Sequence, residues 1–257
     1  MNLSEFISIT RAGKHTAVLT LDRPPANALN FLFLHNLRKE IDKMNASDEI
    51  KVVILNSASK QFFVSGADIR EMSQYKTAEE GVTFSEKGHA LMDRIGLASK
   101  PYIAAIEGVC FGGGLELALA CHLRIAGNEA RLGLPEVNLG LMPGFGGTRR
   151  LPKIVGHARA LEMMLTGRQL TAEEAVKTGL VNQTVQKGHA LEAALNLAEQ
   201  IEKKSANSVS AILAAVNSIE ETPDKEPELF GQLFPTQDAQ EGMRAFLEKR
   251  LPNFKDK

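Results

Sequence analysis

Cysteine is scarce. Cys110 and Cys121 are the only two, and their spacing builds no disulfide framework and matches no zinc-ligand pattern, so a reducing compartment is expected. Charge of one sign is lacking as well. Thirty Lys and Arg face 31 Asp and Glu for a formal net charge of −1, without the basic excess of a dedicated nucleic-acid binder, so no nucleic-acid partner is expected. No long uncharged run exists either. The most apolar stretch, 102–126, is interrupted by Glu107, Glu116, His122 and Arg124, whereas a membrane-spanning helix needs about 20 consecutive apolar residues. The beginning of the sequence shows no basic segment followed by an apolar run and a small-residue cleavage site, so no secretory signal is expected. These absences predict a cytoplasmic location, with an organelle matrix as the alternative had a leader been removed.

Several common motifs are missing too. Gly112-Gly113-Gly114 and Gly144-Phe145-Gly146-Gly147 satisfy neither the dinucleotide fingerprint nor the P-loop, and the six histidines are scattered without paired metal spacing. There is no Gly-x-Ser-x-Gly elbow and no His-Glu-x-x-His. Nicotinamide and ATP chemistry lose their support, and no metal site is expected.

What is present reads as a folded α/β protein. At 257 residues, with 44% hydrophobic and 24% charged residues, the chain suits one large domain or one domain with a small appendage. Residues 6–10 and 16–21 flank Arg11-Ala12-Gly13-Lys14 as a hairpin. Asn30 caps a helix whose Leu34, Leu37, Ile41 and Met44 share a face. Strands follow at 51–55 and 61–64, then a long helical stretch over 78–98 and an apolar strand at 102–106. From about Gly156 onward the pattern becomes helical, with Thr171-Ala172-Glu173-Glu174 as a capping box and one short β interlude at 180–185. Helical periodicity runs over 191–219, Pro223 and Pro227 punctuate a linker, and a last helix covers about 240–250. The expected division is a core over 1–190 and a C-terminal helical segment over 191–257, serving as lid, oligomer interface or both.

Two glutamates stand in unusual company. Glu116 follows the glycine triplet in the first turn of an apolar helix, where a carboxylate ordinarily just favours the helix N-terminus. Its apolar surroundings raise the stakes, because burying a charge costs several kcal/mol unless it is paired. Glu136, in Leu134-Pro135-Glu136-Val137, reads ordinarily as a strand-end or turn residue. Two semi-buried glutamates that share a water have their pKa values pushed apart, which separates acid from base. Ser65-Gly66-Ala67-Asp68 supplies a third element: with the glycine triplet it offers two runs of free backbone N–H groups, the arrangement that holds a developing oxyanion. The combination suggests enolate chemistry.

At this point the chain resembles the crotonase, or enoyl-CoA hydratase/isomerase, superfamily. The resemblance rests on Leu21-Asp22-Arg23-Pro24, Gly66-Ala67-Asp68-Ile69, the run from Gly108 to Leu117, Pro135-Glu136-Val137, Pro143-Gly144-Phe145-Gly146-Gly147-Thr148, and near the end Glu241-Gly242-Met243 with 246–250. It covers nearly the whole chain. It implies an α/β spiral of strand-strand-helix units with a C-terminal helical trimerisation segment. It also implies that the N–H groups of Ala67 and Gly113 form an oxyanion hole for an acyl-CoA thioester, with Glu116 and Glu136 as catalytic carboxylates. Members that only shift double bonds generally lack one of these glutamates, so keeping both implies an enoyl-CoA hydratase. Glu116 would activate the water and Glu136 would protonate C2, held neutral by Leu134, Val137 and Leu139. The alternatives are an enoyl-CoA isomerase or another acyl-CoA enzyme of the superfamily, and more remotely a non-catalytic acyl-CoA- or RNA-binding homologue.

The same resemblance implies CoA contacts at Ala26, Asp68, Ile69 and Arg70, an acyl and water site at Gly144, and adenine-end contacts at Phe230 and Lys249. No cofactor is implied beyond the CoA of the substrate, and the expected assembly is a homotrimer or homohexamer. Residues 23–29 are one residue shorter than the usual hydratase form and also resemble the isomerases, Arg70 stands where Lys is frequent, and His122 where Asp is usual. Acyl-chain length is expected to depend on a pocket near Met72, Leu91 and Met92.

Overall fold

A computed structural model describes residues 6–218 and 224–256; Ile219 and Pro223, in the expected helix and linker, lie outside them. β1 (Ile7–Ala12) and β2 (Thr16–Leu21) form the hairpin, with Ile7 opposite Leu21 and Ala12 opposite Thr16. β1 runs on through Arg11 and Ala12, two residues beyond the expected end, so the turn is tighter, while β2 keeps its expected bounds. α1 (Phe31–Ala46) starts where Asn30 Oδ1 accepts from the Phe33 N–H at 2.9 Å, and Leu34, Leu37, Ile41 and Met44 are buried along one face.

A repeating unit follows. β3 (Val52–Ser57) and β4 (Phe62–Val64) lead to α2 (Ile69–Met72) and α3 (Ala78–Gly96); β5 (Tyr102–Ile106) and β6 (Val109–Phe111) lead to α4 (Gly113–Ala120). β7 (Leu123–Gly127) and β8 (Arg131–Gly133) lead through a 3-10 turn at Glu136–Leu139 to α5 (Gly147–Val155) and α6 (His157–Thr166). The chain then continues through β9 (Gln169–Thr171), α7 (Ala172–Lys177), β10 (Gln183–Val185), α8 (Ala190–Glu202), α9 (Ala206–Asn217), α10 (Glu226–Leu233) and α11 (Gln237–Leu247). Each unit gives its first strand to one sheet, ordered β1-β2-β3-β5-β7-β10, and its second to another, ordered β4-β6-β8-β9. The chain therefore winds as a spiral between two sheets.

The larger sheet is covered on both faces, so its parallel strands read as continuous apolar runs. Alternate residues choose the side. Leu19, Val53, Leu55, Ala104, Ile106 and Ala126 join α1, α3 and α4 in the main core. Val18, Val52, Ile54, Ile103, Ala105 and Ile125 lie under Ala190, Ala194 and Ala198 of α8, whose small side chains let the helix approach the sheet closely.

Three tail features differ from expectation. β9 adds a second strand after Gly156 by pairing antiparallel with β8; three residues are too few for a sequence period to show. The helical stretch beginning at 191 is broken into α8 and α9. Pro227 sits in the first turn of α10 rather than in a linker, a position where its missing N–H costs nothing.

Candidate active site

Three of the four residues named as interrupting the apolar 102–126 stretch act as internal clamps. Glu107 Oε1 accepts from the N–H groups of Gly188 and Ala190, closing the start of α8. Arg124 donates to the carbonyls of Ala118, Cys121 and Leu180, collecting the orphan acceptors at the end of α4. His122 Nδ1 accepts from the Tyr102 N–H. Glu116 is different because it lines a cavity together with Glu136 and the two glycine turns.

Two glycine turns leave backbone donors unspent around that cavity. Leu29 makes a parallel bridge to Ala67, donating to Gly66 O and accepting from the Asp68 N–H, both at 2.8 Å. In such a bridge the central residue turns its own N–H to the opposite side. Gly113 is the first residue of α4, whose N–H has no partner within the helix. Gly112 before it sits at φ 52°, a conformation glycine adopts without strain, and no side chain caps the helix. Ala67 and Gly113 both line a cavity of about 310 Å³.

Glu116 lies in the first turn of α4 and is 1% exposed. Its Oε1 accepts from the N–H groups of Phe145 at 2.8 Å and Gly147 at 2.7 Å. Gly147 is required by proximity: a Cβ there would stand 3.0 Å from Glu116 Oε1 and 2.9 Å from Leu134 Cδ1. Burial pushes the Glu116 carboxyl up to about 7 and the charge of Glu136 adds to the rise, while the two N–H groups and Arg150 pull the other way. Glu136 opens the 3-10 turn, and its pKa is also raised, chiefly by burial. Its Oε2 is buried without a hydrogen-bond partner. A Cβ on Gly112 would lie 3.2 Å from Glu136 Oε1 and 3.6 Å from Gly66 Cα, so this carboxylate and both glycine turns meet at one place. The expected apolar cage is only partly there. Leu134 is buried, but Val137 is 38% and Leu139 58% exposed.

The cavity brings together Ala67, Ile69, Gly113, Glu116, Glu136 and Gly144 among the residues singled out by sequence. Ala26, Asp68, Arg70, Phe230 and Lys249 do not line it. Asp68 caps α2 by accepting from the Arg70 N–H at 3.1 Å and pairs with Arg23 at 2.9 Å. Phe230 stacks edge-on with Phe234 in α10 and is 62% exposed. Of the residues expected to set acyl length, Met72 lines the cavity, whereas Leu91 and Met92 are 0% exposed in the core under α3. Their places are taken by Tyr75, Phe84 and Phe145, whose rings follow one another at centroid distances of 5.6 and 5.2 Å. The helical spacing of Phe84 with core residues hides this role in the sequence. A larger cleft, about 640 Å³, opens between α9 and the ends of α3 and α4, and neither glutamate lines it. Among the described residues no His, Cys, Asp and Glu cluster is arranged to hold a metal, and no helix is long and apolar enough to cross a membrane.

The sequence profile described as enoyl-CoA hydratase/isomerase matches residues 11–257. The chain belongs to the enoyl-CoA hydratase/isomerase family. Within it, the chain is 43% identical over 245 residues to a probable enoyl-CoA hydratase of Bacillus subtilis, covering 93% of this chain and 95% of the relative. It is 39% identical to the short-chain-enoyl-CoA hydratase of Clostridium acetobutylicum, with both chains fully covered. A crystal structure of enoyl-CoA hydratase from Bacillus anthracis superposes with a TM-score of 0.91 at 35% identity, covering 98% of this chain and all of that one. The two-sheet spiral is thus the crotonase fold expected from the sequence.

Proposed function

We propose that this family member is an enoyl-CoA hydratase, adding water across the double bond of a trans-2-enoyl-CoA to give a 3-hydroxyacyl-CoA. The observation that carries the reading is that two carboxylates with raised pKa values line one cavity with two unspent backbone donors. The thioester oxygen accepts from the N–H groups of Ala67 and Gly113. Donors aimed at charge that develops only in the transition state are worth about 3 to 4 kcal/mol each. Glu116, ionised, takes a proton from water as its oxygen bonds to C3. The π electrons move into the thioester as an enolate, and Glu136, protonated, delivers its proton to C2. Exchange with solvent restores both carboxyls. All these steps use protein groups, water and substrate, with CoA as part of the substrate.

The remaining contacts belong to the same proposal. Ala26, Asp68, Ile69 and Arg70 hold the CoA arm, Gly144 borders the acyl and water site, and Phe230 and Lys249 meet the adenine end. Residues 1–190 form the catalytic core, and 191–257 serve as lid and oligomer interface in a homotrimer or homohexamer. In support, the tail exposes Phe246, Leu247 and Leu251 by 80% or more, an apolar display that marks contact surfaces. Two buried free thiols are compatible with a reducing cytoplasm.

The test follows loss of the enoyl-thioester absorbance with crotonyl-CoA in the parent, Glu116→Gln and Glu136→Gln, each verified as folded. The expected result is rapid loss in the parent and at least about 100-fold slowing in each variant, as for groups acting in one transition state. A parent inert on 2-enoyl-CoA that converts a 3-enoyl-CoA would replace hydration with double-bond isomerisation.

A further inference from the structure

Arg150 lies behind the cavity wall and is not among its lining residues. Its guanidinium is forked: Nη1 donates to the Phe145 carbonyl at 3.1 Å and Nη2 to Asp93 Oδ1 of α3 at 2.5 Å. The carbonyl it holds lies between the two N–H groups, of Phe145 and Gly147, that Glu116 Oε1 accepts from. Turning the 145–146 peptide over would bring a carbonyl dipole toward a buried carboxylate, so its orientation matters electrostatically. Gly146 makes room for the fork, because a Cβ there would collide with Arg150 Nη1.

We propose that Arg150, anchored by Asp93, is a positioning residue that fixes the two donors on Glu116 and keeps that carboxylate available as the water-activating base. The proposal rests on the hydratase reading for the base role, while the geometry stands without it. The charged and titratable groups around the pair are Glu136 on the cavity side, His89 and Asp93 from α3 and Arg149 from α5; Arg150 itself lines the outer cleft with Asp93, Arg149, Cys121, His122, Arg124, Lys153 and Lys204. Arg150 links Asp93 to Glu116 through a hydrogen-bonded loop. Its positive charge opposes the burial that drives the Glu116 carboxyl upward. Loss of the charge therefore raises that pKa further, and a group that must be ionised becomes active only at higher pH.

Two substitutions separate charge from fork. Arg150→Met removes both; Arg150→Lys keeps a positive charge but not the planar pair of donors. With crotonyl-CoA, Arg150→Met is expected to lower kcat about tenfold or more near neutral pH, to leave KM within about threefold, and to recover activity as pH rises, its acid limb moving up by about one pH unit. Arg150→Lys is expected to keep the acid limb of the parent while losing kcat. Asp93→Asn, which loosens the anchor, is expected to fall between the parent and Arg150→Met. Infrared titration of the Glu116 carboxyl, with Glu116→Gln as the blank, reads the same shift without turnover, so failure of the hydratase reading leaves this proposal testable. A raised KM at unchanged kcat would make Arg150 a ligand contact and overturn the proposal, as would an unmoved carboxyl titration in Arg150→Met. If Arg150→Met does not fold, parent-like kcat in both Arg150→Lys and Asp93→Asn would overturn it as well.

Discussion

The starts of α3 and α7 are finished in the opposite way from the start of α4. At α7, Thr171 Oγ1 accepts from the Glu174 N–H at 3.1 Å while Glu174 Oε2 accepts from the Thr171 N–H at 2.8 Å, and α3 has the same reciprocal box through Thr77 and Glu80. Both starts satisfy their own orphan donors. At α4 nothing does so: the helix begins on Gly112 at φ 52° with no side-chain cap, at the wall of the cavity. The start of α5 is intermediate, since its Gly147 N–H is taken by Glu116 from another helix. The difference teaches that an uncapped start does not by itself mark a site, since α6, α9 and α10 also lack a side-chain cap; what sets α4 apart is that its open donors face the cavity of the two glutamates.

Adding a methyl group at the open start is the harshest way to break that contrast. Gly112→Ala forces an alanine into positive φ and sets its Cβ 3.2 Å from Glu136 Oε1, so hydration of crotonyl-CoA is expected to fall at least about 100-fold, in line with loss of an oxyanion donor. Steady-state kinetics on the folded variant checks it.

The buried carboxylate beside the open start should reveal a stability cost. Folded Glu116 has a pKa of about 7 against about 4.3 in the unfolded chain. A raised acid favours folding in its protonated form, so its full contribution is present below the unfolded value and is lost as pH climbs through 7. Glu116→Gln, which retains the acceptor for Phe145 and Gly147, is therefore expected to gain about 1 to 3 kcal/mol over the parent at pH 8 relative to pH 4. Denaturant melts at both values measure the difference, and an equal offset at each would contradict it.

The closed start predicts the reverse pairing of effects. Thr171→Ala removes the cap of α7 and is expected to cost about 1 kcal/mol of stability, with hydratase kinetics unchanged. Smallest is Gly81→Ala on α3, where an added Cβ meets nothing within 4 Å. It is expected to stabilise by about 0.5 to 1 kcal/mol through helix propensity, with turnover of crotonyl-CoA within about twofold. Loss of turnover in Gly81→Ala would show that crowding anywhere along the cavity, rather than the open helix start, limits the enzyme.

Local features are legible in the amino-acid sequence alone. Asn30, Thr171 and the Glu174 partner are signals within a few residues of one another, and they cap as expected. The family motifs likewise point to Glu116 and Glu136, which the fold brings to one cavity. Features that depend on distant partners are not legible. Phe145 and Gly147 donate to a carboxylate 29 and 31 residues away, and Arg150 reaches Asp93 across 57 residues. Leu91 and Met92 share helical spacing with pocket residues, yet they turn into the core while Phe84 borders the cavity. Phe84 and Leu91 lie about two turns apart on nearly one face of α3 and share the main core, so position along the helix decides which of them reaches the cavity, and only packing fixes that.

By itself the sequence determined the alternation of strands and helices over most of the chain, the capped starts of α1 and α7, and the presence of residue types suited to enolate chemistry, because these depend on periodicity and on neighbours along the chain. Tertiary structure decided that Gly66 and Gly112 approach each other, that Glu116 loses water and gains two backbone donors, and that Glu136 Oε2 is left without a partner. The physical reason is that a carboxylate's pKa and an N–H group's availability depend on desolvation and on partners brought from remote parts of the chain.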